Sequence, residues 1–236
     1  MNTTITALLV LHIAAGSVAF LAAPLAMYVR KGGPWHRRAG QAFVWGMAVA
    51  LSAVIPLSIL RPNPFLFAVA LFSGYLVYSG YRALYRKRPD RGHGPTTGDT
   101  AIAGLAAALG VAMIAWALVG IWTGGMKLAP VLLVFGFILG GFSARDLIVF
   151  RRKFDPALDR QRWFFDHLTR MLAASIATYT AVAVVNLTML PPLVVGLMPT
   201  VIGGAGIAWV TAKYKRRFAK GAKASDVATI RIGAES

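Results

Sequence analysis

Seven long apolar runs, separated by short blocks of basic residues, Gly and Pro, set the pattern of this chain. About 20 apolar residues in a helix cross about 30 Å of hydrocarbon. The pattern therefore predicts membrane-spanning helices at roughly residues 3–29, 34–60, 64–84, 99–122, 128–150, 166–186 and 191–211. The breaks carry their own signals. Gly32-Gly33 makes a turn and Pro34 suits the first helical position. Pro62 and Pro64 stop the second helix, and Asp99 or Thr100 offers a cap for the fourth. The expected fold is all-α: a polytopic seven-helix transmembrane bundle over residues 1–212, followed by a basic tail at 213–236.

Composition agrees with that reading, with 57% apolar residues and only 14% charged. The net charge of +17 resembles a nucleic-acid footprint, but its distribution says otherwise. Twenty-two of the 25 Lys and Arg residues fall in the first, third and fifth loops and the tail. The other loops hold Arg61 and Lys127, and Arg170 lies in the sixth helix. This positive-inside asymmetry predicts an N-terminus outside and a cytoplasmic C-terminus. The basic blocks then face a bilayer with anionic lipids at its cytoplasmic surface, and no nucleic-acid partner is expected. The first run has no preceding Lys or Arg and is read as a retained helix, not a cleaved leader. Without cysteine there is no disulfide or thiolate metal site.

Small residues recur at helical spacing: Ala15, Ala19 and Ala23; Gly136 and Gly140; Ala173, Ala177 and Ala181; and Gly203, Gly204 and Gly206. They are read as close packing within one chain. Tyr75, Tyr78, Tyr81 and Tyr85 are read as an interfacial aromatic belt.

The sixth helix concentrates the candidate chemistry. Ser175, Thr178, Tyr179 and Asn186 lie on the half of it that also holds His167 and Arg170. Lipid-facing polar groups are costly, so this seam should face protein or a cavity. His12 is expected about 12 Å deep, within reach of Tyr179, either as a functional group or as a neutral imidazole bonded across the bundle. A second grouping, at the cytoplasmic side, contains His36, Arg37, Arg145, Asp146, Asp166, His167 and Arg170. Arg145 and Asp146 are expected to pair with each other and to reach Arg170. His36, His167 and Asp146 have the chemistry of a divalent-metal site, and the two histidines that of axial haem ligands. The arginines instead suit a phosphate-bearing head group or an anionic solute. A ligand-free network of salt bridges fixing the helix ends is the remaining reading. Hydrolase, nucleotide-loop and dinucleotide motifs are absent, and the one Glu, Glu235, excludes paired-glutamate catalysis.

His12-xxx-Gly16, His36-Arg37 with Ala39-Gly40, and His167-xx-Arg170-Met171 stand in one chain with Tyr179-Thr180-Ala181 and Val184-Val185-Asn186. In this combination the chain resembles a widespread bacterial family of multi-pass integral membrane proteins catalogued as a domain of unknown function. The likeness covers nearly the whole chain, except the seventh helix and the tail. It implies a multi-pass protein of the bacterial inner membrane and supplies no activity. The expected role is binding or translocation of a small solute or lipid through the polar seam of the sixth helix. The alternative is a haem- or metal-binding redox protein using His36 and His167.

Overall fold

A computed structural model describes residues 3–88, 91–153, 155 and 159–221. Among these the chain is helical, with no strand. The α-helices are α1 (Thr3–Tyr28), α2 (Pro34–Leu60), α3 (Pro64–Arg82), α4 (Thr97–Thr123), α5 (Ala129–Arg151), α6 (Arg162–Asn186) and α7 (Pro192–Ala219). A 3-10 turn, Ala83–Arg86, extends α3. All seven α-helices are long and apolar enough to cross a membrane.

The starts follow local chemistry. Pro34 and Pro64 each sit in the first turn of a helix, where a missing N–H is no loss. The cap of α4 is Thr96, earlier than expected: Thr96 and Asp99 form a reciprocal capping box. Gly124 ends α4 in the left-handed conformation at φ 65°. The seventh helix runs beyond the expected stop near Thr211 to Ala219, because Lys213, Lys215, Arg216 and Arg217 are good helix formers. The first seven residues assigned to the basic tail are therefore helical, and residues 222–236 lie outside the described residues.

The chain divides into two units. The first is Met1–Pro62 with Gly206–Ser236. Its core is the α1–α2 hairpin, where Ala19, Ala22 and Ala23 meet a face of α2 made by Ala39, Phe43, Met47, Ala50 and Ala53. The backbones come close: a Cβ added at Gly46 would lie 2.9 Å from the Ala15 carbonyl oxygen.

The second unit is Asn63–Ala205. Its most buried helix is α3, which packs against α4, α5 and α6. The α4–α5 hairpin is closed by glycines. A Cβ at Gly110 would lie 2.9 Å from the Gly140 nitrogen, and one at Gly136 would lie 2.8 Å from Ile114. Gly140 itself has open space at its Cβ position. The expected glycine pair is thus asymmetric: Gly136 needs to lack a side chain, whereas Gly140 presents backbone to Gly110.

Candidate functional site

The cytoplasmic grouping expected from sequence is partly assembled in the second unit. Asp146 on α5 and Arg170 on α6 are 2% and 0% exposed. They pair at 2.5 Å through Arg170 Nη2 and Asp146 Oδ1. Two charges withdrawn from water need close geometry and further hydrogen bonds to offset their desolvation. Tyr75 of α3 supplies one, its hydroxyl donating to Asp146 Oδ2 at 2.6 Å. Helical spacing places Asp166 one turn before Arg170, with 3.7 Å between Asp166 Oδ2 and Arg170 Nη1. Asp166 takes its short contact from Arg145 Nη1, at 2.7 Å.

Arg145 and Asp146 therefore do not pair with each other as expected. Neighbours on a helix point about 100° apart, so Arg145 reaches Asp166 and Asp146 reaches Arg170.

A second cluster sits where α3 ends and α4 begins. Arg82 grips Asp99 bidentately, Nε to Oδ1 and Nη2 to Oδ2, both at 2.8 Å. Tyr78 Oη donates to Asp99 Oδ1 at 3.0 Å, and the Thr96 backbone N–H and hydroxyl donate to Oδ2. Arg86, in the 3-10 turn that packs against α6, reaches Asp99 at only 3.6 Å. It lies within electrostatic reach of Asp146, Asp166 and Arg170, which ties the two clusters together. Phe150 lies beneath the Arg86 guanidinium and Phe142 beneath that of Arg170, with 4.8 and 5.5 Å to the ring centroids.

Sequence reasoning missed Tyr75, Tyr78, Arg82, Arg86 and Asp99. Tyr75 and Tyr78 are expected in an interfacial aromatic belt, but Tyr75 is buried and both hydroxyls serve carboxylates. The available signal was spacing: positions 75, 78, 82 and 86 repeat at three and four residues and make one polar face.

The sixth helix begins at Arg162, four residues before the expected start, so His167 lies in its second turn, where Nδ1 bonds the Gly80 carbonyl of α3 at 2.9 Å. The two helices meet closely there, since a Cβ at Gly80 would lie 3.0 Å from Met171 Sδ and 3.1 Å from Arg170 Cβ. His36 and Arg37 belong to the first unit. His36 Nδ1 bonds the Ala26 carbonyl at 2.9 Å, and Arg37 Nε donates to the Gly32 carbonyl at 2.9 Å. Both hold the α1–α2 turn. Lys31 closes the end of α1 by donating to the Ala26 and Met27 carbonyls, and burial lowers its ammonium to about 8. Asp146 has both oxygens committed to protein donors. Among the described residues, no group of three or more His, Asp or Glu is arranged to hold a metal ion.

The seam residues divide. Ser175 and Thr178 are buried, and their hydroxyls donate to the Met171 and Ala174 carbonyls of the preceding turn. Tyr179 is half-buried. Asn186 is exposed and bonds its own helix at the Val182 carbonyl. His12 Nδ1 bonds the Ala50 carbonyl of α2 at 2.9 Å, the cross-helix bond expected of a neutral imidazole.

Comparisons with protein-family models, with curated proteins and with solved structures find no match to this chain.

Proposed function

We propose that the chain is a multi-pass protein of the bacterial cytoplasmic membrane, N-terminus outside and C-terminus in the cytoplasm. In this reading it binds or translocates a small solute or lipid through α6 and the charged core around it. The observation that carries the reading is Arg170, a wholly buried guanidinium on a helix apolar enough to cross a membrane. Charge at such a position is costly and marks substrate or ion pathways. The hydroxyl seam of α6 is a weaker support, because its hydroxyls bond back into their own helix. The stretch of α6 around Arg170 is therefore the binding element, and the seam its continuation.

Native mass spectrometry of the full chain, extracted in mild detergent, tests the reading. Wild type should retain a lipid or solute adduct, and Tyr75→Phe, which removes one of the bonds fixing Asp146, should deplete it. A bare chain in both samples would refute the reading.

A redox role is a second reading with one observation behind it. In each of His36 and His167, within its own unit, Nδ1 bonds a backbone carbonyl, the kind of bond that orients an imidazole for metal ligation. A purified sample with no Soret band and no stoichiometric metal would remove it.

A further inference from the structure

The charged core of the second unit has donors that its own carboxylates do not satisfy. Arg170 Nε and Nη1 and Arg86 Nη2 are buried, and among the described residues no acceptor reaches them at hydrogen-bonding distance. Both side chains are at least nine-tenths buried, with Arg170 at 0% and Arg86 at 10% exposure. Burial without an acceptor is costly for a neutral donor and more so for a cationic one.

The neighbouring carboxylates are already occupied. Asp99 receives five hydrogen bonds, from Arg82 Nε and Nη2, Tyr78 Oη, and the Thr96 N–H and hydroxyl. A carboxylate offers about four lone-pair positions, so Asp99 has no good position left for Arg86. Asp146 is divided between Tyr75 and Arg170 Nη2, and the short bond to Asp166 belongs to Arg145. Charge counting agrees. Arg82, Arg86, Arg145 and Arg170 face Asp99, Asp146 and Asp166, one cation in excess.

A basic approach lies beside this core. A cavity of about 510 Å³ has Arg82, Lys87, Arg88 and His93 as the charged or titratable members of its lining that lie among the described residues, beside Leu84 and Tyr85. Arg82 lines the cavity on one side and holds Asp99 on the other. A cleft with one sign of charge concentrates ligands of the opposite sign.

We propose that Arg86 and Arg170 form an oxyanion-binding site, which takes one phosphate or carboxylate group through Arg86 Nη2 and Arg170 Nε and Nη1. Guanidinium donors fit the paired oxygens of such groups, and one negative charge balances the core. The site deepens the binding reading above by naming the ligand class, and it rests on that reading. These donors are closed to water-sized molecules in the structure, so taking up a single oxyanion head requires the side chains around them to part. A free anion and a lipid phosphate share that chemistry, and the source is separated by experiment.

The test is thermal unfolding of the full chain in dodecyl maltoside, titrated with sodium phosphate or acetate at constant ionic strength set by chloride. Wild type should gain Tm saturably with the oxyanion. Arg86→Gln should shift the midpoint about 10- to 100-fold higher, by loss of a charged hydrogen bond. Arg86→Lys, which keeps the charge but not the fork, should fall between. Arg61→Gln, an equal charge change at an exposed residue that does not line the cavity, should titrate like wild type. In a second arm, phosphatidylglycerol is compared with a neutral glycolipid. Arg86-dependent stabilisation by phosphatidylglycerol alone assigns the oxyanion to a lipid head group, and stabilisation by soluble phosphate or acetate assigns it to a free anion. No response in either arm, an equal response to chloride, or an equal loss in Arg61→Gln overturns the site. A flat titration alongside a retained native adduct rejects this inference and leaves the broader reading standing. Saturable oxyanion binding without any native adduct does the reverse.

Discussion

Replacing Arg170 and Asp146 singly and together gives the sharpest energetic forecast. Arg170→Met removes the 2.5 Å partner of Asp146 and leaves that carboxylate buried with the Tyr75 hydroxyl alone. Asp146→Leu removes the short ion-pair partner of Arg170 and leaves it the longer ion pair to Asp166, at 3.7 Å. Deleting one member of a buried pair costs about 3–5 kcal/mol, because the other charge stays desolvated. Additive losses would therefore bring the double variant about 6–10 kcal/mol below wild type. The double variant instead removes both desolvation terms and replaces them with apolar volume, which is neutral to favourable by about 1–4 kcal/mol. What remains is an unpaired Tyr75 hydroxyl, costing about 1–3 kcal/mol. The double variant should thus lie between about 3 kcal/mol below and about 3 kcal/mol above wild type, a coupling of at least about 3 kcal/mol. At about 2–4 °C per kcal/mol for a chain of this size, each single variant should lose roughly 6–20 °C and the double variant much less. Thermal unfolding of the four proteins in one detergent, followed by intrinsic fluorescence, reads this directly. Single losses that add within about 0.5 kcal/mol would refute the pairing.

Other outcomes follow from the same geometry. Gly136→Ala should lower Tm, at a cost of about 1–3 kcal/mol from overpacking against Ile114, whereas Gly140→Ala should leave it unchanged; equal effects would contradict the asymmetric α4–α5 contact. His167→Phe should cost about 0.5–1.5 kcal/mol through loss of the bond to the Gly80 carbonyl, measured by the same unfolding assay, and a neutral result would show that bond to be dispensable. For Lys31 the sign follows from its lowered value. The folded form loses its proton near pH 8 while the unfolded form holds it to about 10.5, so the unfolded chain carries more protons between those values. The stability contributed by Lys31 should therefore rise with pH from 8 to 10.5 and be flat below 8. The Tm difference between wild type and Lys31→Met across that range checks it, and a constant difference would count against the burial of this amine.

Which parts of this structure were legible in the sequence follows from the range of the forces involved. Apolar block length and the prolines at 34 and 64 are local, and they place six helices within a few residues of their observed bounds. The end of α7 was misplaced because a falling hydropathy marks where a span ends, not where a helix ends; Lys213 to Arg217 continue the helix as polar turns. Asp146, Asp166 and Arg170 were identifiable as charges flanking apolar runs, but their pairing depends on how α3, α5 and α6 rotate against one another. Tyr75 shows the limit most plainly. A tyrosine near a helix end reads as a belt residue, and only packing reveals that its hydroxyl points at Asp146. Ser175 and Thr178 show the converse: polar at buried positions, each donates its hydroxyl to a carbonyl of its own helix.

The account stands most directly on where the charged core lies relative to the membrane. The chain has no cysteine, so single-cysteine variants can be labelled without background. On intact bacterial cells, a membrane-impermeant maleimide should label Gly125→Cys and Thr188→Cys and should miss Arg88→Cys and Lys153→Cys until the membrane is opened. Labelling of Arg88→Cys and Lys153→Cys on intact cells, with the other two protected, would place the Asp146–Arg170 end outside and contradict the account.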